Sequence, residues 1–352
     1  LNIDLAEIKP FIPDSLLKSI EGHVTARITS EGTLHLDSLA KQLPDIVYDH
    51  STFNMDLKSV YVEMPDTLLN VHKVNGKVNV TPNLVTIQDL SGQYSGMDFQ
   101  FDTTVVKNLF NTVIRDKPGK LEVAGVWRLN HLDHNRLGSF MNSDSLESTT
   151  SDVKDIPTDN SLRNKDASKK ESWNRDYEIK GKLFVNSLKY KNALIEDVST
   201  LLNIKDSVYT FDQLKFRAFD GNMRSSVLVR VKPNGETEID LKNKIERMDI
   251  RKLLYYLDNF DQKEMTWENI SGILSTEEFF TKIVMIGDSV ISPKIRMICD
   301  FKLEEGGIFN FEPVVILAPS IPGIDRLDTL AFKTIENHVF IFNDTQCVPE
   351  TY

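Results

Sequence analysis

Apolar and polar residues alternate with a period of two along most of the chain, the spacing that places one set of side chains on one face of a β-strand. Val24, Ala26 and Ile28 alternate with Thr25, Arg27 and Thr29; Phe53, Met55 and Leu57 alternate with Asn54, Asp56 and Lys58. Val78 and Val80 precede a Pro82-Asn83 turn, Val85 and Ile87 follow it, and Met97, Phe99 and Phe101 continue after Gly96. In the second half Leu183 and Val185 lead to a turn at Lys191-Asn192 and a less regular apolar run from Leu194 to Ile204. Tyr209, Phe211, Leu214 and Phe216 come next, then Met223 through Val231, a Pro233-Asn234-Gly235 turn, and Ile239 with Leu241. The links are too short for crossover helices, so the pattern predicts a meander of antiparallel strands.

Two stretches read as copies of one hairpin. "VTIQDLSGQYSGMDFQFDTTVVK" begins at Val85 and "YTFDQLKFRAFDGNMRSSVLVRVK" at Tyr209. Leu90 and Leu214 each precede an aromatic-x-Gly turn, Tyr94-Ser95-Gly96 and Phe219-Asp220-Gly221, with one residue more in the second copy.

Helical signals are few and short. Asp14 or Ser15 is placed to cap "LLKSI" at Leu16 to Ile20, and Ser38 to cap a turn around Leu39 to Leu43. Asp249 precedes "IRKLLYYLDNF", in which Ile250, Leu253, Leu254 and Leu257 share a helical face. Ser275 and Glu278 have capping-box spacing ahead of Phe279, Phe280 and Ile283. The class expected is mainly β with a few short capping helices.

Between Asn142 and Asp176 Ser, Thr, Asp, Asn and Lys displace apolar residues, too few of which remain to offset the entropy of ordering. That segment reads as a flexible insertion or linker, with Trp173 its one large apolar residue. It divides the chain into a β-rich repeat region at 1–141, the polar segment at 142–176 and a second β-rich region at 177–352.

The 352 residues are 40% hydrophobic, enough for a substantial core, and the formal net charge of -11 argues against nucleic acid as a partner. No run of about 18 apolar residues is present to span a bilayer. The chain starts at Leu1 rather than Met, which suggests a processed or trimmed product whose signal or anchor segment lies outside it. Cys299 and Cys347 have neither CxxC nor Cys/His ligand spacing, and two inert thiols are expected rather than a disulfide or a zinc site.

Catalytic motifs are missing: there is no GxSxG, HExxH, P-loop or GxGxxG after a strand. Gly306-Gly307 in "LEEGGIFNF" reads as a tight turn, and Glu304 with Glu305 as a solvated strand end rather than an acid/base pair. "NHLDHNR" packs His131, Asp133 and His134 into four positions, which invites a metal-dependent enzyme. His131 and His134 could supply two ligands but no third is evident, so a solvated turn leading into a short helix is the preferred reading, and no catalytic residue, metal or cofactor is assigned. A surface binding module would want an aromatic platform, but Trp127, Trp173 and Trp267 are scattered. The sequons at Asn269 and Asn343 are near chance in number.

The order of features from "GKLFVNSLKYKNALIEDVSTLLNI" through "FDQLKFRAFDGNMRSSVLVRV" to "MDIRKLLYYL" resembles the C-terminal region of the AsmA family. Gly181, Asp197-Val198, Phe219-Asp220-Gly221 and Leu253-Leu254 fill its slots, and Phe311-Glu312-Pro313, Leu327, Phe332 and Asn337 to Asn343 are similar to its closing block. The likeness covers most of Tyr177 to Asn343 and, more loosely, Leu1 to Arg136. It lacks the family's N-terminal membrane helix and the strands that usually follow, since "CVPETY" stops at Tyr352. The resemblance implies a non-catalytic protein on the periplasmic side of the inner membrane of a double-membrane bacterium, acting in outer-membrane lipid homeostasis. The anchor would lie outside this chain, and the partners would be phospholipid or another acyl lipid and envelope proteins. The implied fold is a repeating β-groove, a curved sheet with an apolar channel, for which Phe99, Phe101, Phe211, Phe216, Val227, Val229 and Val231 are the lining candidates. The competing assignment for those residues is the core of a closed sandwich.

Overall fold

A computed structural model describes residues 1–15, 17–31, 49–65, 70–115, 118–133, 176–261, 263, 265–287, 289–291, 294–320, 327–342 and 345–347. The protein is mainly β, and its strands form one long, open, curved meander sheet with a few short helices. The first half contributes β1 (Asn2–Asp4), β2 (Ser19–Ser30), β3 (Ser51–Glu63), β4 (Val71–Thr81), β5 (Leu84–Tyr94), β6 (Met97–Lys107) and β7 (Leu121–Asp133). The second half begins with β8 (Tyr177–Tyr190), β9 (Ala193–Lys205), β10 (Val208–Ala218), β11 (Gly221–Val231), β12 (Glu236–Glu246) and β13 (Met248–Asp249). After helix α1 (Ile250–Tyr256) come β14 (Ile270–Thr276), β15 (Phe279–Ile286), β16 (Ser289–Val290) and β17 (Arg296–Phe309). Helix α2 (Glu312–Leu317), β18 (Thr329–Phe342) and β19 (Thr345–Cys347) follow.

As far as β12 neighbours in sequence are neighbours in the sheet; beyond it β12 pairs with β15, β13 with β14, and both β14 and β15 with β17, and among the described residues every pairing but one is antiparallel. β7 and β8 run parallel, Leu121 facing Tyr177 and Asp133 facing Lys189. The meander expected from short links therefore breaks where a long polar stretch supplies enough chain to return the length of a strand. The sheet nonetheless continues across this seam. Gly125 and Gly181 face each other there, and a Cβ on Gly181 would lie 2.2 Å from the Gly125 carbonyl oxygen and 2.6 Å from the Trp127 ring. Only glycine lets the strands meet with the indole laid across them.

The strands are longer than an unbroken alternation explains, because several carry a β-bulge. Ser59, Lys73, Asp89, Asp197, Gln213 and Glu305 sit inside strands with φ near +50°, and the register beside each shifts by one residue. A bulge reverses the inward phase, so an apolar set that would turn to the other face returns to the same one. In β5 the set is Val85, Ile87, then Leu90; in β10 it is Tyr209, Phe211, then Leu214. The two hairpin copies thus share a bulge as well as a pattern. Their turns also coincide at Ser95-Gly96 and Phe219-Asp220, both with two positive φ values. The extra residue of the second copy, Gly221, opens the next strand instead of lengthening the turn. Polar side chains satisfy the loosened backbone: Asn75 accepts from the Ser59 amide (2.9 Å) and donates to the Lys73 carbonyl (2.8 Å), and the Thr200 hydroxyl donates to the Asp212 carbonyl (3.0 Å).

The helical expectations divide. Asp249 caps α1, accepting from the Lys252 amide at 3.0 Å, and Leu254 is buried beneath it. Such a cap contributes about 1 kcal/mol, and burial of one leucine about 2 kcal/mol. "LLKSI" is not a helix over its described residues, for Ser19 and Ile20 open β2 and pair with Glu63 and Val62. The Ser275–Glu278 segment is not helical either: Ser275 lies at the end of β14, Phe279 opens β15, and the two strands lie end to end opposite β13 and β12. The Ser275 hydroxyl, read as a cap, serves that neighbour instead, accepting from the Arg247 amide, and the Thr276 hydroxyl beside it accepts from the Ile245 amide. Gly306-Gly307 lies within β17, beside the Glu305 bulge, where a Cβ on Gly306 would stand 2.1 Å from the Ser271 carbonyl oxygen. The turn at Leu39 to Leu43, nearly all of the 142–176 segment and the sequon residue Asn343 lie outside the described residues.

Candidate functional site: the apolar face

Residues directly opposite on paired strands point to the same side of a sheet, so the registers can be followed from strand to strand. Phe101 faces Leu90 on β5 and Trp127 on β7, and Phe99 faces Leu129. Trp127 and Leu129 align with Leu183 and Val185 across the parallel seam, and Val185 faces Val198. Ile179 faces Ile204, which faces Tyr209, which faces Val229; Val229 then faces Ile239, and Ile239 faces Ile283. One continuous apolar face results. Phe99, Phe101, Phe211, Phe216, Val227, Val229 and Val231 all lie on it.

Six of those seven side chains are half-buried, and Val231 is 42% exposed. Among the described residues no second sheet packs over them, so the face is open along much of its length. Its floor is smoothed by rings set against glycines: the Phe99 ring approaches Gly92, Trp127 crosses Gly125 and Gly181, and Phe332 covers Gly306. Trp127 donates from Nε1 to the Thr104 hydroxyl at 3.1 Å, and the Phe99 and Phe101 ring centroids are 5.1 Å apart. Trp127, read from sequence as an isolated ring, is a floor residue; the nearby Gly125 and Gly181 were the signal that its ring had somewhere flat to lie.

The face is closed at one end of the C-terminal half. There Ile250, Leu253 and Leu254 of α1 join two clusters of buried residues, one around Met248, Ile245, Phe279 and Cys299 and one around Ile270 and Leu303. Met223, which faces Phe216, packs against the first cluster. Phe216 therefore borders a closed core, whereas Phe211, Val227 and Val229 lie farther along the open floor. Cys299 is a free buried thiol whose pKa burial raises to about 11, with the Asp300 carboxylate adding to the effect.

The opposite face is mostly polar and laced with ion pairs, with Phe280 and Ile298 facing each other as an exposed apolar pair on it. Lys232 binds Glu236 and Glu238, each at 2.7 Å, Lys294 binds Glu236 at 2.8 Å, and Arg230 binds Asp240. Exposed pairs contribute about 0–1 kcal/mol each, so they mark the solvent side more than they stabilise it.

Chemistry-bearing residues do not assemble. His131 is the eleventh residue of β7 rather than part of a turn, its Nδ1 lying 2.8 Å from the Ser187 hydroxyl, and His134 lies outside the described residues. Among the described residues no three His, Cys, Asp or Glu side chains converge as metal ligands, and no helix is long and apolar enough to cross a membrane. A depression of about 530 Å³ between β9, β10 and α1 holds Arg217 and Lys252, but Asp197 engages the first and Asp220 the second. Comparison of the chain with protein-family models, curated proteins and solved structures gives no match. Fold and face define a class, a β-rich protein with a long open apolar floor.

Proposed function

We propose that this chain is a non-catalytic envelope protein of the AsmA-like type, which holds or conducts phospholipid or another acyl lipid along its apolar face. In this reading it works on the periplasmic side of the inner membrane of a double-membrane bacterium, joined to the membrane by a segment outside this chain and acting with envelope proteins. One observation carries it: the apolar face is continuous across both halves and half-buried rather than sealed. Apolar surface left in water costs about 25 cal/mol per Å², and acyl chains would relieve that cost without demanding a shape-specific contact.

Transfer of labelled phospholipid from liposomes to the protein tests this. Val229→Asp and Phe211→Asp place a charge on the floor and are expected to cut uptake at least about tenfold, a loss of about 1.4 kcal/mol or more. Lys215→Asp, on the polar face of β10, should leave uptake unchanged. No uptake by the wild type, or full uptake by a folded Val229→Asp variant, would contradict the proposal.

A further inference from the structure

We infer that the C-terminal half of the apolar face is a dead-ended slot that takes an acyl amphiphile tail first, with the methyl end against the α1 core and the polar head beside Tyr177 and Tyr209. This rests on the lipid-binding reading above.

The observation is a gradient of burial that recurs from strand to strand. On β9 the apolar-face residues Val198 and Thr200 are buried, whereas Leu202 and Ile204 are half-buried. On β11 Ser225 is buried, Val227 and Val229 half-buried, and Val231 largely open. On β12 Ile245 and Asn243 are buried while Leu241 and Ile239 are half-buried; Phe279 on β15 is buried and Ile283 is not. Leu303 and Cys299 on β17 are buried, and Met297 is half-buried. The registers align every buried end near α1 and every open end away from it. A chain running along this floor meets a packed core and stops.

Length and polarity agree with one kind of occupant. From Ser225 to Val231 is six residue steps, about 20 Å at the rise of an antiparallel strand. The acyl chains of one leaflet reach about 15 Å, half of a hydrocarbon core. At the closed end the polar atoms are already used, the Ser225 hydroxyl donating to the Asn243 side-chain oxygen at 2.6 Å. At the open end Tyr177, Tyr209 and Thr237 bring hydroxyls to the same face. The lysines near this end engage carboxylates on the polar side, Lys120 and Lys180 with Glu178, Lys205 with Asp206 and Lys232 with Glu236. The slot therefore runs from a packed end whose few polar groups are already paired, along an apolar floor of Phe211, Val227, Val229, Leu241 and Ile239, to an open end lined with hydroxyls, and an amphiphile with its tail inward matches that order.

Photo-crosslinking of the folded chain with two palmitate probes tests the orientation, one with a diazirine beside the methyl end and one with it beside the carboxylate. The methyl-end probe should label peptides containing Met223 and Phe279, and the carboxylate-end probe peptides containing Tyr209 and Val231. Val229→Trp, which fills the open end, should abolish labelling at Met223 and Phe279 in protein whose circular dichroism is unchanged. Identical labelling by both probes, or the reverse order, would overturn the tail-first slot and leave lipid binding standing. Labelling by neither probe would remove the lipid-binding reading and the slot with it.

Discussion

Glu178 and Glu236 each face two ammonium groups. Lys120 and Lys180 hydrogen-bond Glu178, and Lys232 and Lys294 hydrogen-bond Glu236; these bonds hold both carboxyls down to about 2 from the ordinary 4.5. The unfolded chain takes up the two protons near 4.5 and the folded chain only near 2. Between those values the unfolded state binds more protons, so stability from these sites is complete above about pH 4.5 and is lost as the pH falls toward 2. Urea midpoints should therefore drop on going from about pH 5 to about pH 3, and a Glu178→Gln/Glu236→Gln variant should show a shallower drop. An unchanged slope in that variant would mean that the pairs are screened too well to matter. Single residues also explain what sequence could not reveal. That Asp197 and Gln213 adopt positive φ leaves no trace in alternation except a slip of phase, and the slip at Asp197 is why the run from Leu194 to Ile204 looks irregular.

Strands and turns were legible because a period of two with Asn, Gly and Pro between runs has few other solutions. The helix at Ile250 was legible for a similar reason, cap and apolar stripe agreeing. Ser275 misled because a hydroxyl that caps a helix also bonds a neighbouring strand's amide, and only the register opposite β12 and β13 decides between them. The parallel β7–β8 seam was out of reach, since a polar segment long enough to return the chain says nothing about where it returns. Its dependence on glycine is testable. Gly181→Ala drives a Cβ into the Gly125 backbone, which cannot rotate away as a side chain would. A loss of about 2–3 kcal/mol in urea unfolding is expected, together with a shift in Trp127 fluorescence. A variant as stable as the wild type would mean that the strands separate at the seam without cost.

The molecule as a whole presents one apolar and one ion-paired face, a division most soluble domains avoid by folding the apolar side onto a second layer. That all seven residues singled out by alternation share this face follows from bulges that restore the phase. That the face stays open beside Val229 yet closes beside Phe216 depends on where α1 lands, which no local pattern encodes. The central claim is that acyl lipid occupies the open part. Native mass spectrometry of the protein purified from a lipid-containing host, followed by lipid extraction, addresses it most directly. The account predicts co-purifying lipid that disappears in Val229→Asp and persists in Lys215→Asp; a clean apo mass in all three proteins, with no lipid in the extract, would contradict it.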